Sequence, residues 1–498
     1  MDWVSTSDIE AKVKATNEII NSYVPGKQSF FAKPRDILLL LEKLKKRKAP
    51  GVDKIQNELL KNLSRKALVF LTRLINACIR LSYFPKNLKS AKIIAILKPG
   101  KNSTLPNSYR PISLLPSLGK LFESVIYSYL LAESKHTLIN EQFGFREQHS
   151  TVQQLVRVTE HIAHHINLNK STGMFLLDIE KAFDTVWHSG LLHKLYVNGV
   201  SLALIKLISS YLCDRQFTVS VRNTSSEPRY IPAGVPQGSV LGPYLFLMYL
   251  NDIPVQPHTK LACFADDTAS FTSSKDLDLI VDRLQLSLSN LHAFFTDWKL
   301  KLNETETEAI LFTGSRKVPQ RRLKIHNHDI DWSSNARYLG VIMDSKINWT
   351  LHINHTKLKA NRAMGALSAI FNRRSNLSSK SKLRIYTTLI RPCLTYAAPV
   401  WSSTCQTNYN KIQVIQNKAL KICYSTPFRT NLQKLHQFIQ LPTLKEFILK
   451  LTKQFYSSIR SKHPNRLVCS LGQSRSHNLP YIDKYKTYRL PHHSLLYE

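Results

Sequence analysis

Apolar positions along this chain recur with two different periods. From Asp36, residues Ile37, Leu38, Leu40, Leu41 and Leu44 fall at helical spacing, and the same period runs from about residue 59 to 83 and through 152–166, 191–211 and 240–250. Between them lie short apolar runs that read as strands, at 92–97, 174–177 and 261–265. The first run ends in Lys98-Pro99-Gly100-Lys101, a hairpin turn carrying cations, and the other two deliver carboxylates at their ends. Helices interspersed with strands in this way predict an α+β fold. Val24-Pro25-Gly26 closes a short leader with helical patches, so the organised body begins near residue 35.

A chain of 498 residues is too long for one ordinary core and predicts two or three packed units of roughly 100–200 residues each. Its 69 lysines and arginines face 34 acids, and a formal net charge of +35 makes polyanions the natural partners. No apolar run approaches the ~18–20 residues of a spanning helix, and the N-terminus lacks a signal-peptide core, so nucleic acid rather than a membrane is predicted. Cys78, Cys213, Cys263, Cys393, Cys405, Cys423 and Cys469 are scattered without the close pairs of a zinc ribbon, which predicts reduced thiols in an intracellular protein. The charge is uneven: residues 345–445 contain sixteen Lys or Arg and no acid. With the helical pattern of Ile412, Val414, Ile415, Ala419 and Leu420, that stretch predicts helices laid along a phosphate backbone. The basic run Lys43-Leu44-Lys45-Lys46-Arg47-Lys48 suits nuclear import, a solvated helix end or template contact, which leaves nucleus and cytoplasm both open.

The first carboxylate stands in Phe175-Leu176-Leu177-Asp178-Ile179-Glu180-Lys181-Ala182-Phe183-Asp184, where an apolar strand hands over to a turn. Alone, a strand-end aspartate is as readily a helix cap or turn former. The second element, residues 260–271, reads as two short strands with Asp266 and Asp267 at their tight connection. Adjacent carboxylates resist joint ionisation unless a cation offsets them, and the apolar residues around this pair limit its hydration. Together Asp178, Asp266 and Asp267 are hard oxygen donors of the kind Mg²⁺ takes alongside substrate phosphates. They predict two ions about 3.5–4 Å apart, Mg²⁺ with Mn²⁺ as a substitute, for in-line nucleotidyl transfer. Between the two elements, residues 231–243 form a glycine- and proline-rich turn in which Gly238 permits close backbone approach. Gln237 beside it can hydrogen-bond a base or sugar.

These stretches join Ala49-Pro50-Gly51-Val52-Asp53, Tyr109-Arg110-Pro111-Ile112-Ser113-Leu114, Gln142-Phe143-Gly144-Phe145-Arg146, Pro236-Gln237-Gly238-Ser239 and Tyr338-Leu339-Gly340-Val341. In order and approximate spacing the set resembles the reverse transcriptases of non-LTR retrotransposons, particularly jockey-like elements of animals, from about residue 43 to about 448. Pro399-Val400-Trp401 and Gln416-Asn417-Lys418-Ala419-Leu420 extend the resemblance past the polymerase. It implies a right-hand polymerase with a ferredoxin-like palm, fingers and a helical thumb, copying an RNA template from a DNA primer with deoxynucleotides. It implies Asp178, Asp266 and Asp267 as the catalytic metal ligands and Phe183 as an aromatic gate that would clash with a 2′-hydroxyl. Lys98, Lys101 and Arg110 would meet the triphosphate, Tyr338, Leu339 and Gly340 would grip the primer end, and the acid-free stretch would be the thumb. The expected layout is a leader at 1–34, a helical N-terminal extension and fingers at 35–90, and fingers and palm at 91–344. A basic helical thumb at 345–430 and a C-terminal basic region at 431–498 complete it.

The sequence departs from the family in two respects. In Leu302-Asn303-Glu304-Thr305-Glu306-Thr307-Glu308, Glu306 stands where a lysine is usual, and an ionised glutamate would protonate departing pyrophosphate poorly and repel it. Lys299 and Lys301 are the nearest substitutes. The leader has no room for the endonuclease that precedes the polymerase in autonomous elements. Beyond Lys445 the acids Glu446, Asp483 and Glu498 are too few for an RNase H cluster, so the polymerase fragment of a degraded genomic copy, or an open reading frame that lost its upstream part, is expected. Two rival readings stand beside this one. An RNA-dependent RNA polymerase would share the palm and paired aspartates, but Phe183 and Ala265 argue against it. A catalytically decayed, nucleic-acid-binding remnant is favoured by Glu306 and opposed by the three intact aspartates.

Overall fold

Six of the seven residues of the strand Ser171–Leu177 are buried, which marks it as a strand with neighbours on both edges. The computed structural model, which describes residues 7–26, 30–97, 100, 102–221, 224–315, 318–427, 429–459 and 463–472, divides into two compact units. The unit containing this strand gathers Arg146–Asp178, Val255–Ser289 and Glu304–Glu498. Its sheet runs in the order Trp332–Ser333, Glu308–Phe312, Ser171–Leu177, Asp267–Ser274, Lys260–Phe264, with the central strand antiparallel to both neighbours. Gly173 is demanded by packing: a Cβ there would lie 2.4 Å from Ile280 Cγ2 and 2.8 Å from Leu284 Cδ1 on the helix that covers the strand. The helix Thr151–Asn167 also packs on the sheet, and it opens with a capping box in which Ser150 and Gln153 exchange side-chain-to-backbone bonds.

The acid-free segment of this unit is helical. Gln406–Cys423 packs against both Thr350–Ala366 and Leu444–Ile459, burying Ile412, Ile415, Ala419 and Leu420. Val414 departs from the expected stripe and is 57% exposed, because two residues past Ile412 is about 200° around the helix.

The other unit gathers Met1–Phe145, Ile179–Pro254 and Asn290–Asn303. Its mixed sheet sets Ser90–Leu97 antiparallel to Tyr109–Leu114 and parallel to Gln216–Val221. Lys98 and Lys101, which fall between the first two strands in sequence, lie outside the described residues. Helices Ser117–Ser134, Leu202–Leu212 and Leu241–Tyr249 carry the core, with Leu204, Ile205, Leu207, Ile208 and Phe246 fully buried.

Two stretches expected as single helices are each split. The first becomes Asn57–Lys61 and Arg65–Arg80, because Ser64 caps the second piece by accepting from Ala67 N at 3.3 Å. The second becomes His188–Val197 and Leu202–Leu212, separated at Gly199, whose left-handed φ of +78° ends a helix without steric cost. The chain is a mixed α and β protein, and among the described residues no helix is long and apolar enough to cross a membrane.

Candidate active site

Strand register brings the carboxylates together. The hairpin of Lys260–Phe264 and Asp267–Ser274 closes with Phe264 paired to Asp267, leaving Ala265 and Asp266 as a two-residue loop. Ala265 holds a φ of +58°, a strained conformation for a residue with a Cβ. The ladder between Asp267–Ser274 and Ser171–Leu177 ends at Leu177 opposite Thr268, so one step further Asp178 falls opposite Asp267.

Three carboxylates therefore share one end of a sheet. Burial of its surroundings, and then the charges of Asp266 and Asp178, push the Asp267 carboxyl up to about 6, although the residue keeps open surface. A cation would relieve that field. Among the described residues no three His, Cys, Asp or Glu side chains close on a common point. The aspartates form an open edge of hard oxygen donors.

The hairpin expected at the primer end is tied to the same strands. Asn335–Tyr338 pairs with Val341–Asp344 through Leu339 and Gly340, whose φ values of +44° and +82° give the double left-handed turn of a two-residue hairpin. The buried Tyr338 donates its hydroxyl to Ala262 O at 3.0 Å, on the strand that leads to Asp266. Tyr396 holds the turn itself by donating to Leu339 O at 2.8 Å.

The remaining expected site residues among the described ones belong to the other unit. Phe183 stacks on Phe246 with centroids 4.6 Å apart and meets Phe145 edge-on at 5.9 Å. Its loop is zipped to the glycine-rich turn by Val235 N to Phe183 O at 2.7 Å and Gly234 N to Val186 O at 2.8 Å. Gln237 donates its side chain to Asp184 Oδ1 at 3.2 Å, and its carbonyl accepts from Ser113 N at 3.0 Å. Those bonds join Phe183, Gln237 and the strand bearing the exposed Arg110 into one assembly. Gly238 has a φ of +109°, and a Cβ there would lie 2.8 Å from Ser113 O. Gly238→Ala is expected to break the Ser113–Gln237 bond and cost about 1–3 kcal/mol, read as a lower thermal midpoint. An unchanged midpoint would show that the loop has room to spare.

Both lysines considered as replacements at the leaving group are engaged. Lys299 pairs with Glu10 at 2.9 Å over the Trp187 ring, and Lys301 pairs with Glu180 at 3.2 Å. Glu306 is exposed on the short turn Glu304–Glu306.

Residues 96–343 match the family model described as reverse transcriptase (RNA-dependent DNA polymerase). This segment belongs to the reverse transcriptase family. The chain is similar to the probable RNA-directed DNA polymerase from transposon BS of Drosophila melanogaster, at 35% identity over 86% of this chain and 48% of that protein. It is likewise similar to the RNA-directed DNA polymerase from mobile element jockey of Drosophila funebris, at 34% identity over 87% of this chain and 48% of that protein. The chain thus spans about half the length of these relatives.

Sequence reasoning missed one buried anchor in this chain. Glu123, 1% exposed, accepts from Val240 N at 2.6 Å and Leu241 N at 3.3 Å, where the loop of Gln237 enters the helix Leu241–Tyr249. Burial pushes its carboxyl up, while the Arg215 guanidinium and those two amides pull it back. Arg215 is itself 1% exposed, and its Nε and Nη2 are buried without a hydrogen-bond acceptor among the described residues. The signal was a lone acid in the apolar run Lys120-Leu121-Phe122-Glu123-Ser124-Val125-Ile126.

Proposed function

We propose that this chain is an RNA-directed DNA polymerase of a non-LTR retrotransposon, adding deoxynucleotides to a primer 3′-hydroxyl along an RNA template. The observation that carries the reading is the register that sets Asp178 against Asp267, beside Asp266, with the Asp267 carboxyl pushed up to about 6. Hard donors that repel one another fit divalent ions, and Asp178, Asp266 and Asp267 would hold them. When bound there, two Mg²⁺ ions, or Mn²⁺ in their place, supply activation of the primer hydroxyl and neutralise charge on the triphosphate. The sheet around Ser171–Leu177 is read as a ferredoxin-like palm, the sheet around Ser90–Leu97 as fingers, and the basic helices after residue 345 as the thumb.

In this reading each remaining residue has one task. Phe183, wedged between Phe145 and Phe246, presents a ring that excludes a 2′-hydroxyl. Arg110, with Lys98 and Lys101, counters the triphosphate. Gln237 and Gly238 flank the nascent pair on a loop that Asp184 and Ser113 hold in place. Tyr338, Leu339 and Gly340 steady the primer end.

The test is incorporation by the purified chain on a primed RNA template with Mg²⁺, deoxynucleotides against ribonucleotides. Deoxynucleotides are expected to be used selectively, and Phe183→Val is expected to admit ribonucleotides at least tenfold more readily. Equal use of both sugars by the unaltered chain would sink the gate assignment. Glu306 favours a second reading, a decayed enzyme that still grips nucleic acid. Tight primer–template binding without any incorporation would establish that reading instead.

A further inference from the structure

The helix Arg65–Arg80 carries two apolar faces where a surface helix needs one. Leu71, Ile75, Cys78 and Ile79 are buried and hold it to its unit. A second series, Ala67, Phe70, Leu74, Ala77 and Leu81, advances by 3, 4, 3 and 4 residues, the spacing of a coiled-coil seam. Phe70, Leu74 and Leu81 are 70%, 47% and 62% exposed. The seam is about 21 Å long at ~1.5 Å per residue, roughly four helical turns.

A charged row accompanies it. Lys66, Arg73 and Arg80 recur every seven residues, each directly before a seam residue, and all three are exposed. In heptad terms they occupy the g positions that choose a partner by charge. Among the described residues no carboxylate lies within ion-pair distance of any of them.

We propose that this face docks an amphipathic helix of a partner protein, apolar along its own seam and acidic beside it. Seam spacing rewards a second helix, whose side chains interlock with Phe70, Leu74 and Leu81. A phosphate backbone would reward the basic row but leave those three side chains in water. A second copy of this chain fits no better. Antiparallel pairing would set its basic row against this one, and parallel pairing would aim that row at Leu71 and Cys78, which are already buried within the unit. Acidic residues flanking the partner's seam answer the charge that the chain leaves open.

The probe is a synthetic three-heptad peptide with leucine at a and d and glutamate at e and g, its binding to the full chain followed by fluorescence anisotropy. Saturable binding is expected, at least tenfold tighter than that of the same peptide with lysine at e and g. Phe70→Asp with Leu74→Asp should weaken it at least tenfold with the circular dichroism unchanged. If that pair unfolds the protein, Phe70→Ser with Leu74→Ser reads the same contact. Lys66→Glu with Arg73→Glu and Arg80→Glu should reverse the preference toward the lysine peptide. Equal binding of both peptides, or of neither, overturns the proposal. A sedimenting dimer lost in Leu74→Asp would reassign the face to a second copy. RNA binding lost in the triple glutamate variant, without peptide binding, would reassign it to nucleic acid.

Discussion

Replacing Asp266 and Asp267 together with alanine is expected to lower deoxynucleotide incorporation by about three orders of magnitude or more, with primer–template binding retained. Metal-held charge stabilisation is worth several kcal/mol at the transition state, and each 1.36 kcal/mol is tenfold in rate, so losing about 4 kcal/mol gives that figure. The same carboxylates should act against the fold when no metal is bound. Burial, Asp266 and Asp178 raise the folded-state value of Asp267 to about 6, against an ordinary value near 3.9 when unfolded. Its charged form therefore opposes folding above about pH 6, and the penalty fades as the pH falls from about 6 toward 4. Asp267→Asn should accordingly melt higher than the unaltered protein at pH 8 with a chelator present, and the gap should close toward pH 4. A variant that melts lower at pH 8 would refute the electrostatic account. A variant that melts higher and incorporates nothing would show a site that trades stability for metal binding.

Glu123→Ala is expected to cost about 3–5 kcal/mol, because it removes the negative charge whose field acts on the buried Arg215 guanidinium. It also strips the acceptor from Val240 N and Leu241 N, two of the amides that a helix N-terminus leaves without an internal partner. Thermal melts read the first loss, and faster hydrogen exchange at Val240 and Leu241 reads the second. Glu123→Leu with Arg215→Leu should recover much of the stability, since removing both charges avoids an unpaired one. Failure of that double variant to improve on Glu123→Ala would show that the cost lies in the capping bonds. In either variant the loop of Gln237 loses its anchor, so the deoxynucleotide KM should rise more than kcat falls.

Much of the architecture was legible in the chain itself. Helical spacing placed Thr151–Asn167 and Gln406–Cys423, and apolar runs placed the strands that end at Leu177 and Phe264. Both signals arise within a few residues, where side-chain period and backbone geometry are directly coupled. The two helix breaks were not anticipated, because each turns on a local conformation that the surrounding apolar pattern masks: the cap at Ser64 and the left-handed Gly199. Val414 joined the apolar stripe on composition, and its angle around the helix took it out.

The candidate site divides along the same line. The sequence alone determined the family, the order of its motifs and the positions of Asp178, Asp266 and Asp267. Only the folded chain decided that Asp178 stands opposite Asp267, that Tyr338 bonds to Ala262 and that Gln237 is held by Asp184 and Ser113. Gly173 and Glu123 gain their meaning only from Ile280 and Leu284 in one case and from Arg215, Val240 and Leu241 in the other. Period and turn chemistry act over a few residues and survive in the written order of the chain. Register, burial and a shifted carboxyl belong to pairs of distant segments and come into being only when those segments pack.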